Sequence, residues 1–451
     1  MEENRLGVEP IGKLIISMAL PAVAAQLVNV FYNIIDRMYI GHIPGEGHLA
    51  LTGIGLCMPI IMAISAFSAF VGAGGAPLAA ISLGKKDKER AEKILGNGTA
   101  LLLLLAIILS MSVFFFKEKI LYAFGASEST YGYAAEYLGI YAVGSIFVMI
   151  SLGLNTFITC QGYSKIAMIS VLIGAVFNIV LDPIFIFLLD MGVRGAAIAT
   201  VISQGITSIW VVRFLISSKT IIKIKRKNLK FEKKIVFAIL GLGISPFIMQ
   251  ITESLINITF NVGLQRYGGD MYVGAMTIMQ SVMQVIVIPI MGLTQGTQPI
   301  ISYNYGANNI GRVKSAFKRI LIITVTITVL ATILTGLFPK IFARVFSSNI
   351  ELIELVGNLL PIFTFGIFIF GIQMACQSAF MGMGQAKISL FLALLRKVIL
   401  LIPLAIILPR FLGPKGIIIA EPISDITSAI TTGILFLLFM RRLKDSAEKD
   451  G

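Results

Sequence analysis

Asp36, Asn178 and Asp182 are the residues in this sequence whose types and spacing most directly prescribe chemistry. All three fall inside long apolar runs. An ionisable group in hydrocarbon costs about 2.5 kcal/mol or more at a helix centre, so it persists where it faces a cavity, a partner or an ion. Asn178 and Asp182 stand one helical turn apart, and Asp182 precedes Pro183. Carboxylates in such a setting are suited to hold a small hard cation or to take up a proton.

Other polar side chains follow the same helical spacing. Gln26, Asn29, Asn33 and Asp36 lie on one face of the first apolar run, and Glu253, Asn257 and Asn261 on one face of a later run. Asn155, Thr200, Gln280, Gln284, Gln373, Gln377, Glu421 and Asp425 also interrupt apolar stretches. Together they are candidates to line a polar cavity, with the carboxylates binding a coupling cation. The amides serve equally well as hydrogen bonds between helices, worth about 0.6 kcal/mol each. Asp36, beside Arg37 and near Gly41, also fits a place at the membrane interface. Glu421, close to Gly416 at a helix start, also suits the helix dipole.

The elements that must position these groups are membrane-spanning helices. The 451 residues are 57% hydrophobic and 13% charged, with mean hydropathy +0.90; a soluble domain carries about 25% charged residues. Apolar runs long enough to span hydrocarbon as helices cover roughly residues 13–40, 51–80, 94–116, 131–160, 166–189, 195–217, 236–264, 273–302, 315–338, 352–383, 388–409 and 416–440. The period-two alternation of an outer-membrane barrel is absent. The start, Met1-Glu2-Glu3-Asn4-Arg5, is unlike the basic start of a signal peptide, and the first run is too long for one. Cys57, Cys160 and Cys376 fall in apolar runs without CxxC spacing, and His42 and His48 share one short loop. Neither a disulfide, a transition-metal site nor a cofactor is expected. With no HExxH motif and no histidine in a run, the chain is not expected to be an enzyme.

The formal net charge is +14. Most Lys and Arg lie in the N-terminal segment, the C-terminal segment and the loops after even-numbered runs, which puts both termini in the cytoplasm. The expected partner of these charges is anionic lipid headgroups rather than nucleic acid. The densest basic stretch carries Lys219, Lys223, Lys225, Arg226, Lys227, Lys230, Lys233 and Lys234. It divides the chain into an N-terminal bundle (1–217), a cytoplasmic linker (218–235), a C-terminal bundle (236–440) and a cytoplasmic tail (441–451). The bundles resemble each other: Pro77 falls on Pro299, Gly162 on Gly384, Lys165 on Lys387, and Ser82-Leu83-Gly84-Lys85-Lys86-Asp87 on Asn304-Tyr305-Gly306-Ala307-Asn308-Asn309. Six is an even number of crossings, so the repeats are parallel, the arrangement of carriers with sites at the repeat interface. The expected fold is an all-α integral membrane protein, twelve transmembrane helices in two parallel-repeat six-helix bundles. The copies have diverged: Asp36 lies over Asn261, while Thr200 and Gln204 lie over Glu421 and Asp425.

The motifs also carry a resemblance. The stretch Gly292 to Ala307 (Gly-Leu-Thr-Gln-Gly-Thr-Gln-Pro-Ile-Ile-Ser-Tyr-Asn-Tyr-Gly-Ala) has a counterpart in Gly72 to Gly84. With Ala19-Leu20-Pro21, Asn33 to Gly41 and Asn178 to Pro183, it resembles the multidrug and toxic compound extrusion (MATE) family over nearly the full length, most closely bacterial MepA-like and DinF-like members. The resemblance implies secondary active efflux of amphipathic, mostly cationic organic compounds by alternating access, in antiport with sodium or protons. It implies a monomer in the bacterial cell (inner) membrane, with no cofactor. By family pattern Asp36, Asn178, Asp182 and Thr200 form the cation site, and Pro21 matches a helix-bending proline. Gln373 and Gln377 stand where some members place an acid, and Glu253 resembles an acidic position of others. The alternative is a lipid or lipid-linked oligosaccharide flippase of the same superfamily, which expects a wide basic cavity. Arg396 and Lys397 are the only adjacent basic pair inside a run.

Overall fold

The computed structural model describes residues 4–45 and 47–449. Met1–Glu3, Glu46, Asp450 and Gly451, and hence the ends of the expected N-terminal segment and tail, lie outside the described residues, as do the side chains of His48 and of 444–449. Among the described residues every regular element is a helix. The first half holds α1 (Ile11–Gly41), α2 (Gly47–Gly84), α3 (Lys88–Ala123), α4 (Glu128–Thr159), α5 (Ser164–Pro183), extended by a π-turn over Ile184–Leu188, and α6 (Gly192–Ile216).

A helix of 74 residues, Lys233–Gly306, comes next. Drawn straight it would run about 110 Å, against about 30 Å of hydrocarbon. It breaks at Gly269, where φ is 69° and ψ −169°, a conformation open to glycine. Gln280 Nε2 donates to Asn257 Oδ1 at 3.0 Å; on an unbroken helix those residues would stand about 35 Å apart. The element is therefore a hairpin of α7 (233–268) and α8 (270–306). Then follow α9 (Ile310–Leu337), α10 (Ile350–Thr364 and Ile367–Gly382, bent by 45°), α11 (Ala386–Leu394, a π-turn over Leu395–Leu401, then Ile402–Ile407) and α12 (Pro414–Lys449). Counting the hairpin twice and the bent pair once gives the expected twelve crossings. Large apolar side chains such as Phe115, Ile209, Val285 and Leu337 are exposed, as a multi-pass membrane protein presents to lipid.

The repeat is written in the backbone. Lys86 and Asn308 take φ of 61° and 57° at equivalent turns, and each turn ends in a cap: Asp87 accepts from Arg90 N–H and Asn309 from Arg312 N–H. Gly162 and Gly384 take φ of 96° and 72°.

The chain packs as two compact units. One runs from Leu20 to Phe247. Its interior is set by glycine: Phe157 fills the space beside Gly75 and Gly98, and α2 meets the start of α7 so closely that a Cβ on Gly243 would lie 1.7 Å from the Phe70 carbonyl oxygen. Small residues allow such approach where lipid supplies no hydrophobic drive between helices. Here too the basic linker is tied down. Gln161 Oε1 accepts from Thr220 Oγ1 (2.8 Å), Ile221 N (2.8 Å) and Ile222 N (3.0 Å), and Lys225 Nζ meets Glu92 at 2.5 Å. The other unit takes the chain up to Ala19 and from Ile248 onward. One of its cores joins Leu6, Leu14 and Met18 to Phe380 and Phe436; a second joins Phe260, Met279, Phe363 and Ile417.

Candidate functional site

In the Leu20–Phe247 unit, α5 supplies Asn178 and Asp182, 3% and 0% exposed. Pro183 removes a backbone donor at the next position, and the helix continues as the π-turn, a feature that gathers at functional sites. Asn178 Nδ2 donates to Asp182 Oδ1 at 3.2 Å and to Thr200 Oγ1 of α6 at 3.4 Å. The Asp36 carboxyl of α1 meets that of Asp182. Three oxygens of this group, Asp36 Oδ1, Asn178 Oδ1 and Asp182 Oδ2, are buried and carry no hydrogen-bond partner. Two neighbouring carboxylates repel; a bound cation or a shared proton removes that repulsion. The group is thus a set of hard oxygen donors with unfilled capacity. Tyr137 and Tyr141 of α4, their rings stacked with centroids 6.0 Å apart, are buried beside this group, Tyr137 in the vicinity of Asp36 and Thr200.

The unit from Ile248 onward holds a second polar cluster. Arg396, in the π-turn of α11, donates from Nε to Asp425 Oδ1 at 2.7 Å and from Nη2 to Glu421 Oε1 at 3.1 Å. Its guanidinium lies over the Phe370 ring, 4.4 Å from the centroid. Lys397 Nζ pairs with Glu253 and donates to the Met249 carbonyl at 3.0 Å. Ser424 Oγ donates to the Arg396 carbonyl at 2.6 Å, and Ser428 Oγ to Gln373 Oε1 at 2.6 Å. Glu421 and Asp425 are 8% and 0% exposed, and Asp425 Oδ2 has no partner.

The structure brings Asp36, Asn178, Asp182 and Thr200 into one group, and Glu253, Gln373, Glu421 and Asp425 into the neighbourhood of the second. The remaining polar positions are dispersed. Asn155 bridges α4 and α5, donating to the Ala167 carbonyl and accepting from Ser170 Oγ. Asn33 donates to the Asn29 carbonyl on its own helix at 2.5 Å. Gln377 donates to Ser389, at 3.0 Å to its carbonyl and 2.9 Å to its hydroxyl. Asn257 and Gln280 bond each other across the hairpin, Gln26 is half-buried, and Asn261 and Gln284 are exposed. Sequence reasoning passed over Tyr137 and Tyr141, whose i, i+4 spacing on one helix face was the available signal. It also left Arg396 and Lys397 without partners. Among the described residues no group of three or more His, Cys, Asp or Glu stands together to hold a metal ion, and the three cysteines are free and buried.

Comparison with known proteins agrees with this architecture. The sequence profile of the MatE family matches residues 21–184 and again 246–407. The multidrug export protein MepA of Staphylococcus saprophyticus is 26% identical over 431 residues, 95% of this chain and 94% of that protein. MepA of Staphylococcus aureus strain MSSA476 is 25% identical over 434 residues, 96% of this chain and 95% of that protein. Among solved structures, an outward-facing multidrug resistance MATE family transporter of the MOP superfamily superposes with TM-score 0.90 at 24% identity, covering 98% of this chain and 99% of that one. A MOP superfamily transporter from Pyrococcus furiosus gives the same score and identity over 98% and 99% of the two chains.

Proposed function

The chain belongs to the MatE family, and from that premise we propose that it is a secondary active multidrug exporter that antiports amphipathic organic cations against sodium or protons. The observation that carries this reading is the trio of buried, unpartnered oxygens, Asp36 Oδ1, Asn178 Oδ1 and Asp182 Oδ2, beside the Thr200 hydroxyl. Sodium wants several hard oxygens, which this group supplies; a proton needs only one of the two carboxylates. On binding, the cation cancels the repulsion between Asp36 and Asp182 and draws α1 toward α5. Coupling follows when that movement weakens the hold on the exported compound, because each ligand must favour a different conformer. The names of the MepA relatives support the multidrug substrate class.

The charge on the remaining ionisable groups favours cationic cargo over the phosphates of a lipid-linked substrate. Arg396 is matched by Glu421 and Asp425, and Lys397 by Glu253, so the one basic pair inside the spans is already neutralised. The chain operates as a monomer of two parallel-repeat bundles, 1–217 and 236–440, joined by the cytoplasmic linker 218–235, with both termini cytoplasmic and basic loops against anionic lipid. The test is movement of a fluorescent cationic dye in proteoliposomes, with sodium and proton gradients imposed separately. Dye movement driven by one gradient is the expected result. No gradient-dependent movement, with a lipid-linked substrate crossing instead, overturns it.

A further inference from the structure

Two carboxylates one turn apart on α12 and an aromatic face from α10 are the constellation that recognises an organic cation: opposite charge on one side, a ring quadrupole on the other. Here Glu421, Asp425 and Phe370 form it, and it is filled by a side chain of the same unit. The Arg396 guanidinium takes both carboxylates and the ring at once. We propose that Phe370, Glu421 and Asp425 form a binding site for the charged head of an organic cation, and that Arg396 is its built-in competitor, displaced when a substrate binds. The proposal rests on the exporter reading for its substrate class.

Three features support it. Two acids face one guanidinium, a surplus of one acid over the tethered cation, and Asp425 Oδ2 has no partner. Lys397 does not cancel that surplus, because Glu253 and the Met249 carbonyl engage it. Second, Met249, Met374, Gln373 and Gln377 pack beside Arg396 with almost no open space between them, so a substrate must shift side chains to enter, and methionine is the side chain that adapts to cargo of varied shape. Third, Arg396 rides on a π-turn, Leu395–Leu401, rather than a regular helix. In the register that sets Gly162 over Gly384, Arg396 lies over Gly174. The first copy therefore keeps its acids open to an outside ion, whereas the second brings its own cation. A small ion gains little from a site already held by a guanidinium. An organic cation with apolar surface can gain the ring and the methionine side chains, and so displace it.

The test is equilibrium binding of tetraphenylphosphonium to the purified full-length protein in detergent. Arg396→Gln removes the tethered competitor and is expected to bind about tenfold tighter than wild type; Arg396→Lys, which keeps the charge but loses the fork and the ring stacking, falls between. Phe370→Leu and Glu421→Gln are expected to bind about fivefold weaker. If Arg396 served only to hold the helices together, both Arg396 variants would bind no tighter than wild type, and that result overturns the proposal. Arg396→Lys keeps the test open should Arg396→Gln fail to fold. Binding in detergent needs no gradient, so an exporter reading that fails for want of ion coupling shows separately, as absent dye movement in wild-type proteoliposomes with these binding ratios intact.

Discussion

Asp182→Asn separates the cation reading from a structural one. The substitution keeps shape and keeps an oxygen to accept from Asn178 Nδ2, which now stands 3.2 Å from Asp182 Oδ1; only the charge goes. Two unit charges about 4 Å apart at an effective dielectric of about 20 interact by about 4 kcal/mol. Asp36 is only half-buried, so water screens part of the site, and about 2–4 kcal/mol is the expected loss of attraction for a monovalent cation. That converts to a sodium affinity lower by roughly 30- to 1,000-fold. If protons are the coupling ion, the amide stands permanently in the neutral form and proton-driven movement stops. The same change relieves the carboxylate repulsion in the ion-free protein, so thermal stability is expected to hold or rise. The assay pairs dye movement in proteoliposomes, titrated with sodium at fixed pH and with pH at fixed sodium, with thermal unfolding in detergent. Unchanged ion dependence together with a lower Tm would refute the reasoning and make Asp182 a structural acceptor.

Three further substitutions probe the surroundings. Tyr137→Phe removes a buried hydroxyl in the vicinity of Asp36 and Thr200; a loss of about 1 kcal/mol is expected to raise the half-saturating ion concentration about fivefold, read in the same dye assay. Gly243→Ala puts a methyl where the Phe70 carbonyl oxygen lies 1.7 Å away, and a destabilisation of at least about 1–3 kcal/mol is expected as a lower unfolding temperature in detergent. Gln161→Leu withdraws the oxygen that accepts from Thr220, Ile221 and Ile222; at about 1–3 kcal/mol for the stranded donors, trypsin is expected to cut faster at Lys219 and Lys223, with a wild-type rate counting against the clamp.

The crossings were legible because each is a long apolar run, and Asp36, Asn178 and Asp182 because charge and amide in such a run are conspicuous. Helical spacing put Asn178 and Asp182 on one face, so their approach followed from local geometry. The reversal at Gly269 was expected only as a loop: a lone glycine in helical context looks like any other, and its positive φ is set by tertiary folding. The partners of Arg396 were not legible. Nothing in the spacing of Leu395–Leu401 announces a π-turn, and which face of α11 meets α12 depends on packing between helices far apart in sequence. The bond between Asn257 and Gln280 was hidden likewise, since both read as cavity candidates until the hairpin brought them together.

The hairpin at Gly269 bears on how the chain is made. Its arms are consecutive in sequence and meet through a turn of one residue, so α7 and α8 can enter the bilayer as a single unit during synthesis. In that setting Asn257 and Gln280 shield each other's amides from hydrocarbon before any other helix of the second half has been translated. The 3.0 Å bond between them thus suits the hairpin to insertion as one piece, a use of the contact that precedes the completed fold.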